Sequence, residues 1–318
     1  MSQLGRRPPS GHQYVIVHGD QRAEIAQVGA TLRTFTVGGL DVVDGFGADE
    51  RSVDGRGQVL APWPNRLTDG RYRYGEHDCQ APLDEPDRHD AIHGLVRWLD
   101  WAPVAHDATT VTLACGLHPQ PGYEWHVDLQ VTYALTGSGL TVTLEARNSD
   151  TEPAPFGAGF HPYLGLATHP VDGLVLTVPA SAALDPAAPG GEAAMVDVDG
   201  GPLDHRLPRR VGTTRLDTCF GALVRGADGR AVARLEDPVS GRSIELWVDG
   251  AYRYLMVYTA DEVERAERRR ASVAIEPMTC PPDAFRTGTD LVELGPGETW
   301  RGVWGIRATG KVEMQRAG

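Results

Sequence analysis

Along most of the chain, apolar side chains alternate with polar ones every second residue, the pattern of a strand with one buried face. It is clearest over Tyr14–Val17, Leu32–Val37, Val111–Ala114, Val127–Leu135, Leu140–Ala146, Leu174–Val178, Ala231–Leu235, Ser243–Val248 and Tyr252–Tyr258. Gly137-Ser138-Gly139 and Ala227-Asp228-Gly229 supply turns between such segments. With 38 Gly and 23 Pro the chain is punctuated too often for long helices. The prediction is an all-β protein, a large antiparallel β-sandwich forming one domain across residues 1–318, with short tails at about 1–12 and 309–318.

Two segments break the alternation. Asp261–Arg270 is charged all round and lacks an apolar stripe, so it is expected to be a solvated loop or short surface helix, structurally passive. Ala180–Pro208, rich in Ala, Gly, Pro and Asp, reads as a long connection between strands.

Charge narrows the partners. The 318 residues carry a formal net charge of −13, which repels phosphate backbones and anionic lipid, so neither nucleic acid nor membrane is expected. The basic run Arg265, Arg268, Arg269, Arg270 is diluted by Asp261, Glu262, Glu264 and Glu267. No stretch reaches the roughly 18 to 20 apolar residues of a membrane span, and Met1–Gly11 lacks a secretory core. A soluble, cytoplasmic protein is the expectation. Cys79, Cys115, Cys219 and Cys280 are too scattered for zinc pairs and too few for a disulfide framework, and read as reduced thiols. Among the 30 basic residues Lys311 alone is lysine, which disfavours Schiff-base and P-loop chemistry. The available groups are His, Asp, Glu and Arg.

Four segments have the residues for chemistry. In Ala61–Tyr72, two prolines are expected to hold Trp63 and Asn65 extended and set the path to Arg66, whose guanidinium could fork onto sugar hydroxyls or pair with a structural acid. In His89–Trp98, His89 and His93 have a helical metal-ligand spacing, but Gly94 and the β-prone residues after it argue against a helix and no third ligand is near, so no metal site is expected. His93 reads instead as a side chain at a turn where backbone comes close. In Phe156–Leu164, small residues precede His161 and Pro162 is expected to end strand pairing, presenting an imidazole at a strand end. In Ser272–Thr279, Val273 and Ile275 share one strand face while Ala274 and Glu276 share the other, and Pro277 is expected to end the strand. Glu276 would be a general base if buried and a solvated strand-end acid if not. Asp217, between Leu216 and Cys219-Phe220, is either a turn former or a hydroxyl acceptor.

Taken in order, Asn65-Arg66-Leu67, His93-Gly94, His161-Pro162-Tyr163, Asp217, Ile275-Glu276-Pro277 and Leu294–Glu298 resemble the aldose 1-epimerase (galactose mutarotase) family from about Tyr14 to Arg307. The resemblance implies a galactose mutarotase-like supersandwich, no cofactor, and interconversion of the α and β anomers of a free aldose. Carried onto this chain, it implies His161 as general acid, Glu276 as general base, and Arg66, His93 and Asp217 as sugar-binding residues. Pro121–Tyr123 also resembles a family segment near the site. Leu164 and Met278 depart from the family pattern, where many members have Phe and Gln, and bear on the sugar rather than the reaction.

Ring opening of a cyclic hemiacetal needs only one base at the anomeric hydroxyl and one acid at the ring oxygen, within the range of a desolvated Glu and a His. The net charge favours a neutral sugar over an acidic one. Competing readings remain: a hexose 6-phosphate or other modified sugar as substrate; a non-catalytic sugar-binding module or sensor; and a glycoside hydrolase using Asp217 and Glu276, with Trp63 and Trp98 as sugar platforms. A monomer or homodimer is expected.

Overall fold

The computed structural model describes residues 7–166, 170–185 and 194–310; Lys311 and the outermost parts of both expected tails lie outside them. The alternating segments become strands of two large antiparallel sheets. A nine-stranded sheet is built on Thr110–Leu117, Val127–Thr136, Gly139–Asn148, Thr299–Thr309, Ser243–Val248 and Ala231–Glu236 as consecutive neighbours. A twelve-stranded sheet runs from Gln13–His18 through Thr31–Val37 to Val273–Met278, Tyr254–Tyr258 and Asp217–Leu223. The inward residues of both sheets, among them Ile16, Ile25 and Phe35 from one and Leu129, Val131, Leu144 and Ile306 from the other, join one apolar cluster, the layered core of a sandwich. Ala284–Thr287 is the one α-helix among the described residues. No helix there is long and apolar enough to cross a membrane. All four cysteines are free thiols.

Three local expectations fail, two of them for reasons that need the partner strands. Ala180–Pro208 is not a bare connection: Ala180–Asp185 pairs with Asp217–Leu223 and with Ala194–Asp197, extending the larger sheet; residues 186–193 lie outside the described part. Its buried small residues, Ala180 and Ala183, pack where no alternation of large side chains announces a strand.

Pro277 does not end its strand, whereas pairing does stop at Pro162, with His161 just beyond the end of Gly159–Phe160. Val273–Met278 runs through Pro277, paired with Tyr254–Tyr258 from Ala274 to Met278. On its other side Gly159–Phe160 and Tyr163–Leu164 pair at its two ends, leaving His161 and Pro162 opposite its middle. The Ile275 N–H donates toward that side, to the Pro162 carbonyl at 3.3 Å. Two residues on, Pro277 directs its missing donor to the same side, so the ladder to Tyr254–Tyr258 is untouched. The interruption also frees His161 from regular pairing.

Asn65 is not extended. Its φ is 55°, a left-handed turn that asparagine tolerates, and it redirects the chain into the short strand Arg66–Thr68.

Candidate active site

Alternation in Val273–Met278 puts Val273 and Ile275 in the main core and Ala274 with Glu276 on the opposite face. There a cleft of about 300 Å³ opens, at the small end of ligand pockets. The expected residues Arg66, His93, His161, Asp217 and Glu276 all line it, with Asp54, Gly55, Tyr163 and Tyr258. His89 is exposed, beyond a single 3-10 turn, and does not line it.

At the base His161 Nε2 lies 3.3 Å from Glu276 Oε1, and both side chains are buried. Neither His161 Nδ1 nor Glu276 Oε2 has a hydrogen-bond partner. The backbone of His161 is held on both sides, donating to the Gln58 carbonyl at 3.2 Å and accepting from the Gly57 N–H at 2.9 Å. Its ring stacks on Tyr163 with centroids 4.9 Å apart and planes at 20°. Tyr163 in turn carries the guanidinium of fully buried Arg56 3.9 Å above its ring, and Arg56 pairs with Asp44 at 2.8 Å.

Burial dominates the electrostatics. It pushes Glu276 well above the ordinary carboxylate range, helped by the Asp217 charge. It pulls His161 far below the imidazole range, helped by Arg56. Both groups therefore favour their uncharged forms, a protonated carboxyl beside a neutral ring.

His93 enters from the side, 5.3 Å from His161 centroid to centroid and nearly perpendicular to it. The Asn65 N–H donates to His93 Nδ1 at 3.2 Å, and burial, then neighbouring His161, keeps this ring neutral. With Nδ1 accepting, its proton sits on Nε2 as a donor. Gly94 behind it has φ 67°, and a Cβ there would stand 2.1 Å from the Ala61 carbonyl oxygen, so this turn brings backbone against backbone.

Arg66 shows both behaviours open to it. It forks onto Glu85, Nε to Oε2 at 2.6 Å and Nη2 to Oε1 at 3.1 Å, while still lining the cleft. Asp217 opens the strand Asp217–Leu223 with its side chain exposed at the cleft mouth. The three groups assigned to binding thus surround the buried pair with donors and an acceptor.

The glycoside hydrolase reading loses its platforms. Trp63 is buried in the core against Phe285, ring centroids 5.4 Å apart, and Trp98 faces a separate depression; neither lines the cleft. Tyr123 of Pro121–Tyr123 is likewise a core residue, its hydroxyl donating to the Pro155 carbonyl. Among the described residues no cluster of His, Cys, Asp or Glu is arranged to hold a metal ion.

Asp261–Arg270 is a wall rather than a passive loop. It holds only a 3-10 turn, Ala266–Arg268, yet Glu262 and buried Val263 line the cleft. Its charges tie it down: Arg270 pairs with Asp261 and Asp172, each at 2.7 Å, Arg265 with Glu50 at 2.7 Å, and the Glu264 N–H donates to Asp54 Oδ1 at 3.0 Å. Charge without an apolar stripe signified attachment through ion pairs. Asp54, Gly55 and Arg56 were missed entirely, since no local pattern marks Val53–Gly57 as part of a site.

The family model for aldose 1-epimerase matches residues 12–307. YihR, an uncharacterized protein of Escherichia coli K12, is 33% identical over 293 residues, covering 92% of each chain. Among solved structures, a putative aldose 1-epimerase from the same organism superposes with a TM-score of 0.78 at 22% identity, over 94% of this chain and 99% of that one. Galactose 1-epimerase from Lactobacillus acidophilus NCFM does so at 0.75 and 19%, over 92% of each. These two likenesses establish the galactose mutarotase-like fold, and the family match goes further: the chain belongs to the aldose 1-epimerase family.

Proposed function

We propose that this protein is a mutarotase that interconverts the α and β anomers of a free, neutral aldose, with Glu276 and His161 moving the protons and Arg66, His93 and Asp217 holding hydroxyls. The observation that carries the reading is the buried approach of His161 Nε2 to Glu276 Oε1, 3.3 Å apart at the base of a cleft walled by hydrogen-bonding groups.

The pair holds one proton in either of two forms, a carboxyl beside a neutral ring or a carboxylate beside an imidazolium. Burial alone favours the first. A sugar whose anomeric O–H donates to the carboxylate and whose ring oxygen accepts from the imidazolium favours the second, so binding shifts the proton from Glu276 to His161. Glu276 then takes the anomeric proton as His161 protonates the ring oxygen, and the C1–O5 bond opens to the aldehyde. Rotation about C1–C2 presents the other carbonyl face. Closure runs the transfers backward, returning a proton to O1 from Glu276 and withdrawing one to His161. Atoms and charge balance without a further reactant. Holding the open chain between His93, Arg66 and Asp217 keeps C1 within reach of O5, the part of the barrier that fixed geometry removes.

The pH dependence follows from the proton count. A second proton disables the pair by charging His161 while Glu276 stays protonated, and the depressed His161 pKa puts that event below the ordinary value of 6.5. Loss of the only proton disables it on the alkaline side, above the usual carboxylate range because the Glu276 pKa is raised. Mutarotation measured polarimetrically, with the buffer rate subtracted, therefore shows kcat/KM that is not lost on acidification through pH 6.5 and that declines on the alkaline side of the usual carboxylate range. Activity that falls on acidification with a midpoint near 6.5 would contradict this account.

A further inference from the structure

The segment Val53–Gly57 contributes an acidic group to the cleft for which the acid–base pair has no use. Asp54 lines the cleft, and its three oxygens differ in employment. The backbone carbonyl accepts from the Tyr163 hydroxyl at 3.1 Å. Oδ1 accepts from the Glu264 N–H at 3.0 Å and so ties down the wall formed by Asp261–Arg270. Oδ2 is buried and has no hydrogen-bond partner. Two consecutive left-handed residues hold this arrangement, Asp54 at φ 55° and Gly55 at φ 70°, and Gly55 passes so close to His161 that a Cβ there would lie 2.6 Å from its Cδ2. Asp54 is therefore held beside the reacting end of the cleft.

A buried carboxylate oxygen without a donor is costly, and anchoring the wall needs only Oδ1. We infer that Asp54 is a further substrate-binding residue, whose carboxylate, turned so that Oδ2 meets the cleft, accepts a hydrogen bond from one sugar hydroxyl and selects aldoses that carry it. A carboxylate only accepts, so a deoxy or O-methyl group at that position leaves it unpaired and an anionic substituent is repelled. The inference rests on the mutarotase reading for the identity of the ligand, but not on turnover.

Calorimetric titration with D-glucose, D-galactose and their monodeoxy analogues tests it. The wild-type protein binds one monodeoxy analogue about ten- to a hundredfold more weakly than its parent, the range of one charge-assisted hydrogen bond. Asp54→Asn keeps the Oδ1 acceptor for Glu264 and so preserves the wall while removing the charge, and it narrows that gap; Asp54→Ala closes it. In polarimetry the Asn variant raises KM with kcat nearly unchanged, the pattern of a group that binds without transferring protons. A wild-type protein with no such gap, or a gap that both variants leave intact, overturns the inference. If the wild type binds aldoses with a gap that the Asp54 variants narrow but does not speed mutarotation, the proposed function falls and Asp54 stands as a binding residue; if it binds no aldose, both fall.

Discussion

Replacing Glu276 with Gln lowers kcat for mutarotation by about 10²- to 10⁴-fold, and His161→Asn does the same. An amide at position 276 keeps the size and a hydrogen-bonding oxygen near His161 Nε2, but it neither takes the anomeric proton nor passes one across the 3.3 Å to the ring. The two losses are not additive. Each variant breaks a circuit carrying one shared proton, so the double variant is about as slow as either single one, the behaviour of residues that act as a unit. Stability moves the other way. Burial already favours an uncharged group at 276, and an amide is uncharged at every working pH. The Gln variant therefore unfolds at a temperature equal to or above that of the wild type, which separates lost chemistry from lost structure.

The second large effect comes from a residue with no side chain. Gly55→Ala places a methyl group 2.6 Å from Cδ2 and 3.2 Å from Nε2 of His161. The ring has little room to retreat, because Tyr163 stacks on it at 4.9 Å and His93 lies edge-on at 5.3 Å. Displacing Nε2 from Glu276 by about an ångström costs roughly 10²-fold in rate. Alanine at φ 70° also adds about 1 kcal/mol of backbone strain. Gly75→Ala is the control. It has φ 56° and nothing within 4 Å of its would-be Cβ, so it carries similar strain far from any side chain. Polarimetry beside thermal unfolding of the two variants then shows the shared backbone strain in Gly75→Ala with activity kept, and in Gly55→Ala a larger destabilisation from the clash together with lost activity.

Much of the site was legible in the sequence because its residues sit on regular local patterns. Two-residue periodicity alone put Glu276 on the face opposite Val273 and Ile275, and the order of the motifs picked out the five side chains that converge on one cleft. What was not legible depends on chain that lies far away. Pro277 looked like a stop because its position is harmless only once the intact pairing with Tyr254–Tyr258, on its other side, is known. Asn65 looked extended because a positive φ leaves no periodic trace. Asp54 and Arg56 looked unremarkable because what singles them out is a distant partner, Glu264 for the one and Tyr163 for the other. The charged segment Asp261–Arg270 looked passive because ion pairs to Asp172 and Glu50, rather than an apolar stripe, fasten it.

The assignment of chemistry to the His161–Glu276 pair is tested most directly by following the optical rotation of freshly dissolved α-D-galactose and α-D-glucose with purified wild-type protein and with Glu276→Gln and His161→Asn. The account predicts that the wild type brings at least one of these sugars to anomeric equilibrium well ahead of the buffer, and that both variants leave it near the buffer rate. Wild-type-like mutarotation by both variants would contradict it.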